Sequence, residues 1–374
     1  MEKIINKEKT DLLFESYYNL DYKEFCRLLD SGACANRLDK HGRSLISLVT
    51  RECRFARINK KFFDKLMSCD IDIKDINKNH GLLSCSILYQ SDIHYMKELI
   101  KSGASVDFCS LSPVGYDGYC RYYGPPMFHA LDVKDIEKIN LLLKSGIDIE
   151  SCDESDQTLL NYLIINSSSN FLAKTLPLFI EYGAFIEQRG TNGATALHWL
   201  SSKSGNEKLF DLFFEKNINI NIKDTEGKSP LIYAAYSGNK KSANILIKNG
   251  ANLNIQDCNG NTAAMTAASY GELELLKILH KSGADLSLTN NFGENVAHFI
   301  AMEISGFKTQ RVNNNYLNIL KKNPKLLSVK NYNGCTPLDI LKNHDNEFYS
   351  KVDNNSYYLN YIKPFEKDLD CLSH

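Results

Sequence analysis

Apolar residues along this chain fall into short bursts separated by polar turns, and over its second half one order of bursts returns at a fixed distance. The first copy opens with Asp224-Thr225-Glu226-Gly227 and continues through Ser229-Pro230-Leu231, Ala234-Ala235 and Gly238. It then runs through Ile245-Leu246-Ile247 to Asn249-Gly250-Ala251-Asn252-Leu253-Asn254. The second has Asp257 and Gly260, Thr262-Ala263-Ala264, Ala267-Ala268, Gly271, Leu275-Leu276, Ile278-Leu279 and Gly283-Ala284-Asp285-Leu286; a third begins at Asn290, so the period is 33 residues. Each copy reads as two short helices. Ser229 can cap a helix whose first turn accepts Pro230, and Gly250 can take the left-handed conformation that ends the second helix. The alanine pairs 234, 235, 267 and 268 let first helices approach closely, while Leu246, Ile247, Leu276 and Leu279 fill the space between layers. One such unit buries too little apolar surface to fold alone, so stability comes from stacking neighbours.

The order D-x-x-G-x-T-P-L-H-x-A-A, a glycine, a leucine pair and G-A-x-x-N resembles the ankyrin repeat, and these copies match it at most positions. The resemblance implies an all-α solenoid of stacked helix-turn-helix units with short projecting β-hairpin-like loops. Weaker copies follow from the turn glycine or its substitute: Gly42, Gly81, Tyr123, Asp156, Gly193, Gly227, Gly260, Gly293 and Gly334. About nine or ten repeats are expected in an array over residues 1–345, clearest at 190–223, 224–256, 257–289 and 290–330, with a helical cap or tail at 346–374. Extra length falls at residues 50–63, 108–124 and 302–314.

At 374 residues the chain exceeds the size at which one globular core stops growing, which fits an array. Forty-four basic against 45 acidic residues leave no overall pull toward nucleic acid or anionic membrane. No stretch is apolar enough to span a bilayer, and the first residues lack the apolar core of a signal peptide. Eleven cysteines without a C-x-x-C pair read as reduced thiols, so a cytoplasmic setting in the producing or a host cell is expected.

Phosphate loops, dinucleotide fingerprints, HExxH, GxSxG and kinase motifs are absent from the sequence, and no catalytic, cofactor-binding or metal-ligating set emerges. The expectation is a non-enzymatic scaffold that binds another protein and is monomeric on its own. Its role is that of an adaptor or pathogen effector, or alternatively of an immunity protein or inhibitor that blocks a toxin or enzyme; an enzyme with an unrecognised site is the second alternative.

The resemblance places binding on loop tips and the exposed side of the first helices, a concave surface in this family. It nominates Thr225, Glu226, Lys228, Tyr236 and Ser237, then Cys258, Asn259, Asn261, Ser269 and Tyr270, then Asn291, Phe292, Glu294 and Met302. Tyr236, Tyr270 and Phe292 stand out because large exposed aromatics dominate binding energy; packing on a neighbour in the stack is the alternative for the tyrosines. The Tyr- and Gly-rich segment 108–124, with Tyr116, Tyr119, Arg121 and Tyr122, has the composition of an adaptable binding loop. Arg51, Arg54, Arg57, Lys60 and Lys61 form a basic run that reads mainly as a solvated face. Trp199 reads as core. His198 and His298 fall on the family's T-P-L-H histidine, where the imidazole links loops by hydrogen bonds.

Overall fold

The computed structural model describes residues 2–39, 43–51, 56–73, 82–88, 92–107, 125–305, 319–320 and 322–340. They form helices, 3₁₀ turns and isolated bridges, with no strand ladder among the described residues. The chain divides into two compact units, one of residues 1–200 with 204–218, the other of 201–203 with 219–374.

The first unit stacks helix pairs α1 (Glu2–Tyr18) with α2 (Tyr22–Asp30), α3 (Leu45–Arg51) with α4 (Ala56–Met67), and α5 (Leu82–Leu88) with α6 (Ile93–Lys101). Then come α7 (Pro126–Val133) with α8 (Ile136–Lys144), and α9 (Leu159–Asn166) with α10 (Ser169–Glu181). Its layers are held by rings. Phe62 receives Tyr17, Tyr22 and Phe25 edge-on at centroid distances of 5.3, 5.4 and 4.7 Å, Phe63 meets Tyr95 at 4.4 Å, and Phe128 meets Tyr162 at 5.0 Å. Rings pack well edge-to-face but vary in size from layer to layer, which accompanies the irregular spacing here.

The second unit holds α13 (Pro230–Tyr236) with α14 (Lys240–Lys248), α15 (Ala263–Ser269) with α16 (Leu273–Lys281), and α17 (Val296–Ser305); α11 (Ala196–Ser202) and α12 (Phe210–Phe214) precede it in the chain. Ala234, Ala235, Ala267 and Ala268 are fully buried where first helices meet, and Leu246, Leu276 and Leu279 are fully buried beneath the second helices. Ile247, expected to fill that layer, is half-buried. Side chains of Ser229 and Thr262 accept the amide of the third helical residue, as the capping reading requires.

The register marks hold. First helices start three residues after Gly42, Tyr123, Asp156, Gly193, Gly227, Gly260 and Gly293. The mark at Gly81 lies outside the described residues. Left-handed backbone is needed at the turn mark, and Asp156 supplies it with φ of 55°, as Gly227 does with 75°. Asn217, with φ of 53°, likewise replaces the glycine found at Gly250 and Gly283 after the second helix. Among the described residues no helix is long and apolar enough to cross a membrane, and the described cysteines Cys26, Cys34, Cys69, Cys152, Cys258 and Cys335 are free thiols. The basic run is described only in part: Lys60 and Lys61 are exposed, while the side chains of residues 51–58 lie outside the described set, as do residues 341–374.

Candidate interaction surface

The loop tips of the second unit are built by one device repeated. Asp224 Oδ1 accepts the amides of Glu226 and Lys228 at 2.9 and 2.8 Å, and Asp224 N donates to the Lys228 carbonyl at 3.0 Å. Asp257, Asn290 and Asn331 do the same for their own turns, so Asp and Asn interchange here: the turn's backbone amides need only one acceptor oxygen.

Neighbouring tips are zipped together. Cys258 N donates to Glu226 O at 2.8 Å, Asn291 N to Asn259 O at 2.9 Å, and Tyr332 N to Phe292 O at 2.9 Å. The Asn291 amide side chain adds a bond to Cys258 O at 2.8 Å, and His298 Nε2 reaches Cys335 O at 3.2 Å across the same step. His298 therefore links loops as the resemblance implied, and burial holds its pKa below the ordinary value. His198 is buried with its Nδ1 accepting from the Thr195 amide at 3.1 Å. These bonds fix the backbone of the tips, so the side chains they carry stand on a frame with little freedom left to lose.

On that frame the nominated aromatics face solvent: Tyr236 is 58% exposed, Tyr270 52% and Phe292 57%. Tyr236 and Tyr270 occupy successive repeats at the ends of α13 and α15, with ring centroids 4.5 Å apart and planes tilted by 58°. The rings pack on each other, the alternative posed for them, and still present their outer faces to solvent. Tyr270 titrates above the ordinary tyrosine value through burial and the hydroxyl of Tyr236, with Lys228 acting the other way. Lys228 in turn pairs with Glu226. Burial lowers its pKa, and Glu226, Asp224 and Asp257 outweigh that effect.

Thr225, Cys258, Asn259 and Asn291 are exposed on the tips, as are Ser237, Ser269 and Met302 near the helix ends; Asn261 and Glu294 are half-buried. Tyr332 was not nominated, yet at 79% it is the most exposed of the large apolar side chains described. It sits at the turn position of Thr225, Cys258 and Asn291, in the copy starting near Asn331, and extending the nomination by one repeat finds it. Tyr116, Tyr119, Arg121 and Tyr122 lie outside the described residues.

Trp199 departs from expectation: it is half-buried, not core. It stands three residues into its helix, the register that Tyr233 holds in α13. Tyr233 is half-buried too, donating from Oη to Asp224 Oδ2 at 3.0 Å, and its pKa is driven up by burial and by Asp224. Large side chains at that register cross the helix edge instead of entering the layer. No group of His, Cys, Asp and Glu able to hold a metal occurs among the described residues.

This architecture, paired short helices with hydrogen-bonded tips and alanine-packed layers, is an all-α repeat solenoid. Residues 127–290 carry ankyrin repeats. A family model for ankyrin repeats in three copies matches residues 127–224, 163–257 and 200–290. Among curated proteins, human inversin is 28% identical over 191 residues, covering 43% of this chain and 18% of inversin's own length. Among solved structures, the ankyrin repeat domain of Bcl-3, described as a member of the IkappaB protein family, superposes with a TM-score of 0.50 at 22% identity. That match covers 64% of this chain and 97% of the Bcl-3 chain. Repeats of this kind build scaffolds for protein–protein interaction.

Proposed function

We propose that this chain is a non-enzymatic binding scaffold that recognises a protein through the loop tips and exposed first-helix ends of its second unit. The observation that supports this most is the exposure of Tyr236, Tyr270 and Phe292 on a backbone already zipped by hydrogen bonds. Exposed rings on a preorganised frame lose little ordering entropy on association, which is where such arrays gain affinity. In this reading residues 1–345 are the array and 346–374 its cap. Thr225, Glu226, Lys228, Cys258, Asn259 and Asn291 frame the contact, with the 108–124 segment as an additional arm. The role is that of an adaptor or effector acting on a partner in the cytoplasm, a setting that suits the free thiols.

The test is affinity capture with the full chain from lysates of the source organism and of a plausible host, comparing wild type with a Tyr236→Ala, Tyr270→Ala, Phe292→Ala variant. The reading expects a stoichiometric protein bound by wild type and reduced by roughly a hundredfold in affinity for the variant, the sum of a few hot-spot losses. A partner held equally by both chains removes this surface from the account.

A further inference from the structure

Among the described residues of the second unit, charge is unevenly divided between faces. On the tips and first-helix ends, Lys203, Lys223, Lys228 and Lys330 stand against the six carboxylates of Asp224, Glu226, Asp257, Glu272, Glu294 and Glu303, four against six. On α14 and α16 the balance is reversed, with Lys240, Lys241, Lys248, Lys277 and Lys281 against Glu274.

Two of these lysines are already committed. Lys228 pairs with Glu226, and Lys223 Nζ donates to the Gln256 carbonyl at 3.0 Å. Glu272 and Glu294 take part in no ion pair among the described residues. The Glu272 carboxylate lies directly over Gly238, two residues beyond Tyr236, close enough that a Cβ there would fall 2.3 Å from its Cδ. Glu294 is two residues from Phe292 and accepts only a neutral amide, from Asn290 Nδ2 at 3.1 Å. Tyr233 and Lys228 register the same negative field, each titrating above its ordinary value under Asp224 and Glu226.

We propose that the ridge of Tyr236, Tyr270 and Phe292, with the carboxylates of Glu272 and Glu294 beside it, receives a segment of the partner protein in which Lys or Arg alternates with apolar side chains. This rests on the scaffold reading and supplies the chemistry of its ligand. Apolar groups of the segment cover the rings, while its cations meet ring faces and unpaired carboxylates, two environments that both favour positive charge. An acidic segment would meet the same carboxylates as like charges, so the surface discriminates as well as attracts.

The experiment pans a random dodecapeptide phage library on the immobilised full chain. Recovered peptides are then measured by fluorescence anisotropy against wild type, against Glu272→Gln, Glu294→Gln, against Tyr236→Ala, Tyr270→Ala, and against a Lys248→Gln, Lys281→Gln control. The expected peptides are rich in Lys or Arg next to aliphatic or aromatic residues. They should bind about tenfold more weakly to the Glu→Gln variant, weaken as salt rises, and be unaffected by the control. Peptides that are lost in the tyrosine variant but carry no basic excess would overturn the inference and leave the scaffold reading standing. Peptides indifferent to both the tyrosines and the glutamates would overturn both. Concentration-dependent dimers in sedimentation, abolished by the control variant, would assign the acidic face to the lysine stripe of a second copy and also overturn the inference.

Discussion

Asp224 shows what a single side chain does in this architecture. Its carboxylate closes the turn by accepting two backbone amides and takes the Tyr233 hydroxyl on its other oxygen, all while buried. Because Asn290 and Asn331 do the same backbone work, Asp224→Asn should change stability by less than ~0.5 kcal/mol. Asp224→Ala, leaving two part-buried amides and a hydroxyl unanswered, should cost about 2 kcal/mol, read from urea midpoints of the full chain. A second residue-scale effect belongs to His129. It is buried in α7 with no partner for Nε2, and burial brings its pKa down from 6.5 to about 4. The unfolded chain therefore takes up the proton first: stability is complete above pH 6.5 and falls as pH drops toward 4, by on the order of 3 kcal/mol for this group. A His129→Leu variant should lose less between pH 7 and 4.5 than wild type in the same urea assay; parallel losses would show that His129 does not titrate with unfolding.

At the scale of elements, the tip ladder joins repeats that are otherwise held by alanine contacts and leucine layers. Gly260 lies where the strand of one tip passes the next: its φ is 79°, and a Cβ would fall 2.7 Å from Asn291 N. Gly260→Ala should cost more than ~2 kcal/mol, through left-handed strain plus displacement of the Asn291 to Asn259 bond, and speed amide exchange at Asn291. Most of this layer was legible in the chain itself, because turn chemistry leaves hard marks. Gly, Asp or Asn must occupy the left-handed turn, and Ser or Thr the cap, so counting three residues from each mark finds the first helices. The sequence reading failed for Trp199, since a first helix of seven residues is too short for its periodicity to separate inward positions from the helix edge. The exposure of Tyr236 and Tyr270 followed from the family's register, whereas Tyr332 was hidden because its copy was recognised only by its opening turn.

Over the whole molecule, the overall charge balance concealed the feature with most bearing on function. A formal charge of −1 reads as indifference toward charged partners, yet the described residues of the second unit have one side that is acidic and aromatic and another that is basic. Summed composition cannot reveal this; assigning each charge to a helix face does. The first unit differs in kind, with aromatic layers and few exposed rings on its described first helices, the N-terminal Tyr18 aside. The account thus places recognition on the second unit, in the repeats opened by Asp224, Asp257 and Asn290.

Amide hydrogen exchange of the full chain, alone and with a captured partner, tests that claim most directly. The account predicts slowed exchange at residues 225–236, 258–270 and 291–302, with α14 and the solvent side of α16 unchanged. Protection confined to α14 and α16, or to the first unit, would contradict it.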